Sequence, residues 1–338
     1  MLSYHISSSL GKFQSIPPQH QTFQIMGARR GILNSSRFKQ VDDSVKTNIV
    51  LHTGYDFYPF QTEMFNPSSH QVELLKGYFN VCRKVHIDQL LIHGPDKPEH
   101  LKYFEAGLTI LKSYLDDFNK SISLSIARAT AANSQVSISS ASQNQNQNTN
   151  CEAQNQNQIV RATAANKSHY QLQICIEMPV FCKSMFSPNV SLGFNGLTPK
   201  NVYSFTLSYF ETAIKFGFDI VIDTAHLYGN GLTTEEMINV LEMFKNNYKY
   251  IHLNGNCRPQ FKKDEHTTLT DCPGFKPNLI PNTDLLLTEV AKLMNEDNKI
   301  CISEQKCNNV KYFKSLANKY GFKLNEYISA AAIDLIIA

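Results

Sequence analysis

Nine residues of this chain could bind zinc or manganese without any sulfur ligand, and most of them stand where a short apolar run ends. Asn48-Ile49-Val50-Leu51 runs into His52, Leu90-Leu91-Ile92 into His93, and Ile174-Cys175-Ile176 into Glu177. Ile220-Val221-Ile222 runs into Asp223-Thr224-Ala225-His226, Tyr250-Ile251 into His252, and Ile300-Cys301-Ile302 toward Glu304. Asp264 and His266 lie one residue apart in the segment that follows His252. An imidazole or carboxylate at the mouth of an apolar interior is costly unless it is paired or holds a metal. The chemistry open to such a set is metal-assisted hydrolysis or metal-assisted proton transfer.

Taken singly, these residues say little. A histidine at a strand end is more often a hydrogen-bonded structural residue than a ligand. An Asp-x-His pair is common in surface loops. Asp223-Thr-Ala-His226 is more specific, because both side chains leave one strand–loop junction. The joint pattern says more: six successive runs each deliver a ligand-type residue to the same end. Unconnected structural roles do not predict that.

The elements that must position them alternate. Short β-rich runs occur at 2–6, 22–26, 47–53, 88–93, 171–177, 218–223, 249–254 and 299–304, with helical periodicity in most of the intervals. The interval between the first two is short for a crossover helix. Leu101, Phe104, Leu108, Leu111 and Leu115 share a face over 98–119, and Thr198-Pro199 opens another helix. Thr233-x-x-Glu236 is a capping box ahead of Ile238, Val240, Leu241 and Phe244, and Leu285, Leu286, Val290 and Leu293 stripe a later helix. Eight strands with helical crossovers predict an α/β fold, a (β/α)8 TIM barrel, with an open doubly wound sheet as the alternative. In a barrel, functional side chains gather at the carboxyl ends of the strands, where these nine lie.

The 338 residues, 42% of them apolar, can bury a large core. Residues 134–160, SQVSISSASQNQNQNTNCEAQNQNQIV, are too polar to join it, and Arg-Ala-Thr-Ala-Ala-Asn flanks them at 128–133 and 161–166. They read as a disordered Gln/Asn-rich loop insertion within a single barrel domain spanning 1–338. The net charge of +3 allows a local nucleic-acid patch without announcing one. The eight cysteines include no C-x-x-C pair, which argues against a zinc ribbon and a dense disulfide framework. No apolar run of membrane-spanning length occurs, and Met1-Leu2-Ser3-Tyr4-His5 does not read as a secretory signal. An intracellular setting is expected, nuclear or cytoplasmic, or a virion or viral factory for a viral chain.

The stretches His52-x-x-Tyr55, Leu91-Ile92-His93-Gly94, Ile176-Glu177, Ile222-Asp223-Thr224-Ala225-His226, His252-Leu253-Asn254, Asp264-x-His266 and Ser303-Glu304 resemble the endonuclease IV family of apurinic/apyrimidinic endonucleases, in the xylose-isomerase-like barrel superfamily. Tyr4-His5-Ile6-Ser7 resembles the family's first strand, and the likeness runs from about residue 2 to about residue 315, the Gln/Asn tract excepted. The resemblance implies three zinc ions, with Mn2+ an alternative at one site. His52, His93 and Glu177 would hold the first. Glu177 would bridge to a second, held also by Asp223, His252 and Glu304, and His226, Asp264 and His266 would hold the third.

It further implies hydrolysis of the DNA phosphodiester 5′ to an abasic site, leaving a 3′-hydroxyl and a 5′-deoxyribose phosphate, with 3′-repair or 3′-exonuclease activity as an extension. Glu177 and Glu304 would be catalytic, Glu304 by orienting the attacking water. The partner would be double-stranded DNA containing abasic sites, contacted by Tyr55, by Arg29 or Arg30, and by Lys262 and Lys263, with the protein acting as a monomer away from membranes. The loops depart from the family at Asp56, at Met178-Pro179-Val180-Phe181, at Gly255 and at Glu265. The rival readings are a metal-dependent sugar isomerase or epimerase of the same superfamily and a degenerate DNA-binding barrel. His226 with Asp264 and His266 argues against the first, and the completeness of the ligand set against the second.

Overall fold

The structure is a computed structural model, and it describes residues 2–6, 22–26, 48–54, 57–60, 70–84, 86–95, 98–141, 170–181, 201–262, 265–272, 274–297, 299–304 and 310–324. All eight expected strands are present: β1 (Leu2–Ile6), β2 (Thr22–Met26), β3 (Asn48–His52), β4 (Gln89–His93), β5 (Gln173–Glu177), β6 (Asp219–Val221), β7 (Tyr250–His252) and β10 (Ile300–Ser303). They form one parallel sheet in the order β6-β5-β4-β3-β2-β1-β10-β7. Its two outer strands meet at a parallel bridge between Asp223 and His252, where His252 N–H donates to Ile222 O at 3.0 Å. This is the TIM-barrel arrangement. A further short ribbon, β8 (Gly255–Asn256) paired antiparallel with β9 (His266–Thr267), rises from what reads in the sequence as loop.

Alternation along the strands explains where the ligand-type residues point. Val50, Leu91, Cys175, Val221, Tyr250 and Ile302 form one small buried cluster inside the barrel. Each stands two residues before one of His52, His93, Glu177, Asp223, His252 and Glu304. The intervening residues Leu51, Ile92, Ile176, Ile222 and Ile251 belong to the large core outside the sheet, between strands and helices. Six strands of identical parity thus raise six polar groups above one dry apolar layer.

Eight helices are described: α1 (His70–Lys84), α2 (Pro98–Leu101), α3 (Phe104–Ala141), α4 (Val202–Lys215), α5 (Thr224–Gly229), α6 (Thr234–Met243), α7 (Thr283–Glu296) and α8 (Val310–Tyr320). The expected face Leu101, Phe104, Leu108, Leu111 and Leu115 is buried. The capping box of α6 forms, with Glu236 N–H donating to Thr233 Oγ1 at 3.2 Å and Thr233 N–H donating to Glu236 Oε2 at 2.8 Å. Thr198-Pro199 lies outside the described residues.

Two expectations need correction. Leu285 is 42% exposed, and the buried face of α7 is Leu286, Leu287, Val290, Ala291, Leu293 and Met294, because Leu285 lies about 140° around the helix from Val290 at the middle of that face. The segment expected to be disordered from 134 begins as helix, since α3 continues to Ala141. Ala is the strongest helix former, and no Gly or Pro interrupts 120–141. Residues 142–160 lie outside the described residues. Asn119 marks where α3 leaves the barrel: its amide exchanges two hydrogen bonds with the Leu172 backbone at the start of β5, each 3.0 Å. Ile122 is the last described buried residue of the helix, and Leu124 is exposed. No helix among the described residues is long and apolar enough to cross a membrane.

Candidate metal centre

Eight of the nine candidates converge above the apolar layer, in three groups whose ligand atoms lie within 4.8 Å of one another. His52, His93 and Glu177 form the first, Glu177, Asp223, His252 and Glu304 the second, and Asp223, His226 and His266 the third. Asp264, Tyr55, Arg29, Arg30 and Lys263 lie outside the described residues. The grouping of the first two clusters is that implied by the resemblance. The third differs in having Asp223 within reach as well.

Glu177 is the hub. It is fully buried, and its carboxylate faces His93 Nε2 at 3.1 Å, His52 Nε2 at 3.7 Å, His252 Nδ1 at 2.9 Å and His226 Nδ1 at 3.3 Å. Burial would raise its pKa; the charges of His252 and His93 and hydrogen bonds from His226 and His252 outweigh that and hold it well below the usual carboxylate range. Glu177 Oε2 has no hydrogen-bond partner among the described residues, although two imidazole nitrogens flank it. A buried acceptor in that position fits a cation between carboxylate and rings. Bonds of about 2.1 Å around a tetrahedral zinc ion separate ligand atoms by about 3.4 Å. The separations here fall close to that, with His252 Nδ1 3.6 Å from Asp223 Oδ2 and 3.4 Å from Glu304 Oε2, and His266 Nε2 3.6 Å from Asp223 Oδ2.

The surrounding chain fixes which atom each ligand offers. His52 Nδ1 donates to Thr53 O at 2.7 Å, which leaves Nε2 with its lone pair toward the cluster. Burial, then the neighbouring His93, push its pKa down to about 3 against the pull of Glu304 and Glu177, so the ring is neutral at physiological pH, as a ligand must be. His226 Nδ1 donates to Met178 O at 3.0 Å. Asp223 divides its two oxygens. Oδ1 caps α5, accepting from Ala225 N–H at 2.6 Å and His226 N–H at 3.1 Å, and Oδ2 faces the cluster. The cap sets both residues of the Asp-x-x-His pair in one geometry.

Three loop departures acquire structural reasons. Met178-Pro179-Val180-Phe181 docks on α5: besides Met178 O on His226, Pro179 O accepts from Asn230 Nδ2 at 2.9 Å and Phe181 N–H donates to Asn230 Oδ1 at 2.6 Å. Gly255 admits no side chain, because a Cβ there would stand 2.7 Å from Thr268 O and 2.9 Å from Asn278 Oδ1. Glu265 pairs with Arg258 and Lys276, so an acidic residue in the ribbon gathers two cations beside His266. Lys262 is exposed nearby in the sequence, on a loop that Phe261 N–H anchors to Gly229 O at 2.6 Å.

Two buried polar residues of the site escape a search restricted to ligand types. Asn254 holds Asp223 Oδ2 through Nδ2 at 2.7 Å and accepts from Glu304 N–H at 2.9 Å. Gln24 contacts His252 and Glu304, each at 2.6 Å. Its only sequence signal is one polar residue between Phe23 and Ile25 in an otherwise apolar strand core.

No known family's sequence profile matches the chain, and no curated protein matches it. Solved structures do. AsfvAP, in the AsfvAP:AG crystal structure, is 12% identical over 94% of this chain and 86% of that one, with a TM-score of 0.43. A D-tagatose 3-epimerase-like protein is 14% identical over 88% and 87%, with a TM-score of 0.48. The IolI protein, with a zinc atom bound, is 8% identical over 99% and 98%, with a TM-score of 0.44.

Proposed function

We propose that the chain is a zinc-dependent phosphodiesterase that cleaves duplex DNA 5′ to an abasic site, leaving a 3′-hydroxyl and a 5′-deoxyribose phosphate. The observation that carries this reading is the third cluster, Asp223, His226 and His266, adjoining two others that share Glu177. Epimerisation of a sugar calls for one or two metals and a proton-transferring base, and leaves such a third group without a task.

His52, His93 and Glu177 would hold one ion, Glu177, Asp223, His252 and Glu304 a second, and His226 and His266 with Asp264 a third, Mn2+ being an alternative at one of them. Ions bound there would supply positive charge to both the attacking and the leaving oxygen of an in-line displacement. The residues do the rest. Glu177 and Asp223 bring negative charge from buried positions, with side chains out of contact with solvent. His93 and His266, 29% and 19% exposed, mark the open side from which a phosphodiester approaches. Glu304, 9% exposed, lies between buried cluster and solvent, where a carboxylate orients the attacking water. Lys262, with Arg258 and Lys276 on Glu265, offers cations to the DNA backbone. Tyr55, Arg29 or Arg30, and Lys263 complete the proposed DNA contacts.

Incubating the zinc-loaded protein with a duplex carrying one tetrahydrofuran abasic analogue tests the reading. Nicking that a polymerase can extend, and that a chelator abolishes, is expected. Chelator-sensitive epimerisation of a keto-sugar with no nicking would replace this reading by the epimerase.

A further inference from the structure

Strands β3 to β7 and β10 each bring a candidate ligand to the mouth, and β2 pairs with β3 in the same sheet. Gln24, at the centre of β2, is fully buried. Its amide joins two members of the second cluster, His252 and Glu304, which lie 228 and 280 residues away in the chain.

The polarity of this bridge is forced. The amide nitrogen can only donate, and Gln24 Nε2 donates to Glu304 Oε1 at 2.6 Å. The amide oxygen must then face His252, and it accepts from His252 Nε2–H at 2.6 Å. With Nε2 protonated, Nδ1 is the ring atom left to face Glu177 Oε1, Asp223 Oδ2 and Glu304 Oε2. On the other partner, Oε1 is engaged and Oε2 is the oxygen turned to the cluster.

We propose that Gln24 is a positioning residue that sets the metal affinity of the second cluster, by fixing the donor atoms of His252 and Glu304 together. The proposal rests on the metal-dependent reading above. A buried amide needs hydrogen-bond partners of some kind, and backbone groups usually supply them. Gln24 sets one amide atom on each of two candidate ligands, as partners that orient metal ligands do. A carboxylate in its place would repel Glu304, and an apolar residue would release both rotamers.

The test uses the full-length chain reconstituted with zinc, with Gln24→Met, close in volume but without either bond, and Gln24→Glu, which keeps the acceptor for His252 and loses the donor to Glu304. Zinc per chain is counted after dialysis against graded chelator, beside a thermal melt of each protein. The wild type is expected to retain three ions. Each variant is expected to release one of them at about 10- to 100-fold lower chelator strength, with the other two held as in the wild type. The turnover number should fall while KM for the abasic duplex stays unchanged. Release of all three ions together, or a profile superimposable on the wild type, overturns the positioning role. A wild-type chain that binds no zinc overturns the metal reading first, and does so without any variant, so the two failures are distinguishable. If Gln24→Met does not fold, Gln24→Glu carries the same comparison.

Discussion

Glu177 Oε1 lies 2.9 Å from His252 Nδ1 at the centre of the barrel mouth, both side chains fully buried and 75 residues apart in the chain. Burial would lower the His252 pKa, but the carboxylates of Glu304 and Glu177 and hydrogen bonds to Asp223 and Glu177 raise it well above the usual imidazole value. In the metal-free protein this imidazolium answers the negative charge around it. A zinc ion ligated by Nδ1 must displace that proton.

Zinc binding to the metal-free protein therefore releases protons, and its affinity weakens as pH falls. The raised His252 pKa gives the sign: below it the proton holds the ligand atom, above it the metal does. Calorimetry in two buffers of different ionisation enthalpy reads the release directly. Equal apparent heats in the two buffers would contradict the prediction.

Asp223 combines a helix cap with a place in two clusters, and substitutions separate the roles. Asparagine caps as well as aspartate, so Asp223→Asn should keep α5 anchored, while Asp223→Ala loses the cap at a cost of about 1 kcal/mol more. Both remove the charge and should lose zinc alike. Thermal melts of the metal-free variants and zinc counts on the loaded ones check this. Equal stability of the two metal-free variants would show that the cap contributes nothing.

Most of this site is legible in the sequence because strand parity is legible. Two-residue alternation puts Val50 and His52, or Cys175 and Glu177, on the same inward side, so the polar end of each apolar run already points to one mouth. The ribbon carrying His266 is not legible: two-residue strands have no periodicity to detect, and Gly255 owes its identity to Thr268 O, a contact only the fold creates. Gln24 and Asn254 carry no ligand signature, and their roles depend on which atom of a neighbour they hold. The helical start of the Gln/Asn tract reflects propensity prevailing where composition suggests disorder: α3 is already running and nothing stops it before Ala141.

Deleting 142–160 should leave nicking within about twofold of the full chain. Asn119 ties α3 to the entrance of β5, and the continuation of the helix from there leaves the barrel at the end opposite His93 and Glu177, so the tract joins elements remote from the metals. Nicking rates of the two proteins at equal zinc content decide it. A loss of tenfold or more would place the tract at the substrate.

Lys262→Ala and Arg258→Ala should each weaken binding of abasic duplex and reduce the slope of log Kd against log salt by about 1, with zinc content unchanged. Glu265→Gln, which frees Arg258 and Lys276 from their shared acid, should shift binding in the opposite direction, toward higher affinity. Fluorescence anisotropy over a salt series measures both. Salt slopes equal to the wild type would remove these cations from the DNA interface.

The central claim is metal-dependent cleavage at an abasic site through Glu177. The most direct measurement is the single-turnover nicking rate of a tetrahydrofuran-containing duplex by the zinc-loaded wild type and by Glu177→Gln, which removes the charge shared by two clusters. The wild type should incise on the 5′ side of the lesion, and the variant at a rate at least about 100-fold lower. No incision by the wild type at full zinc loading, or equal rates for the two proteins, would contradict it.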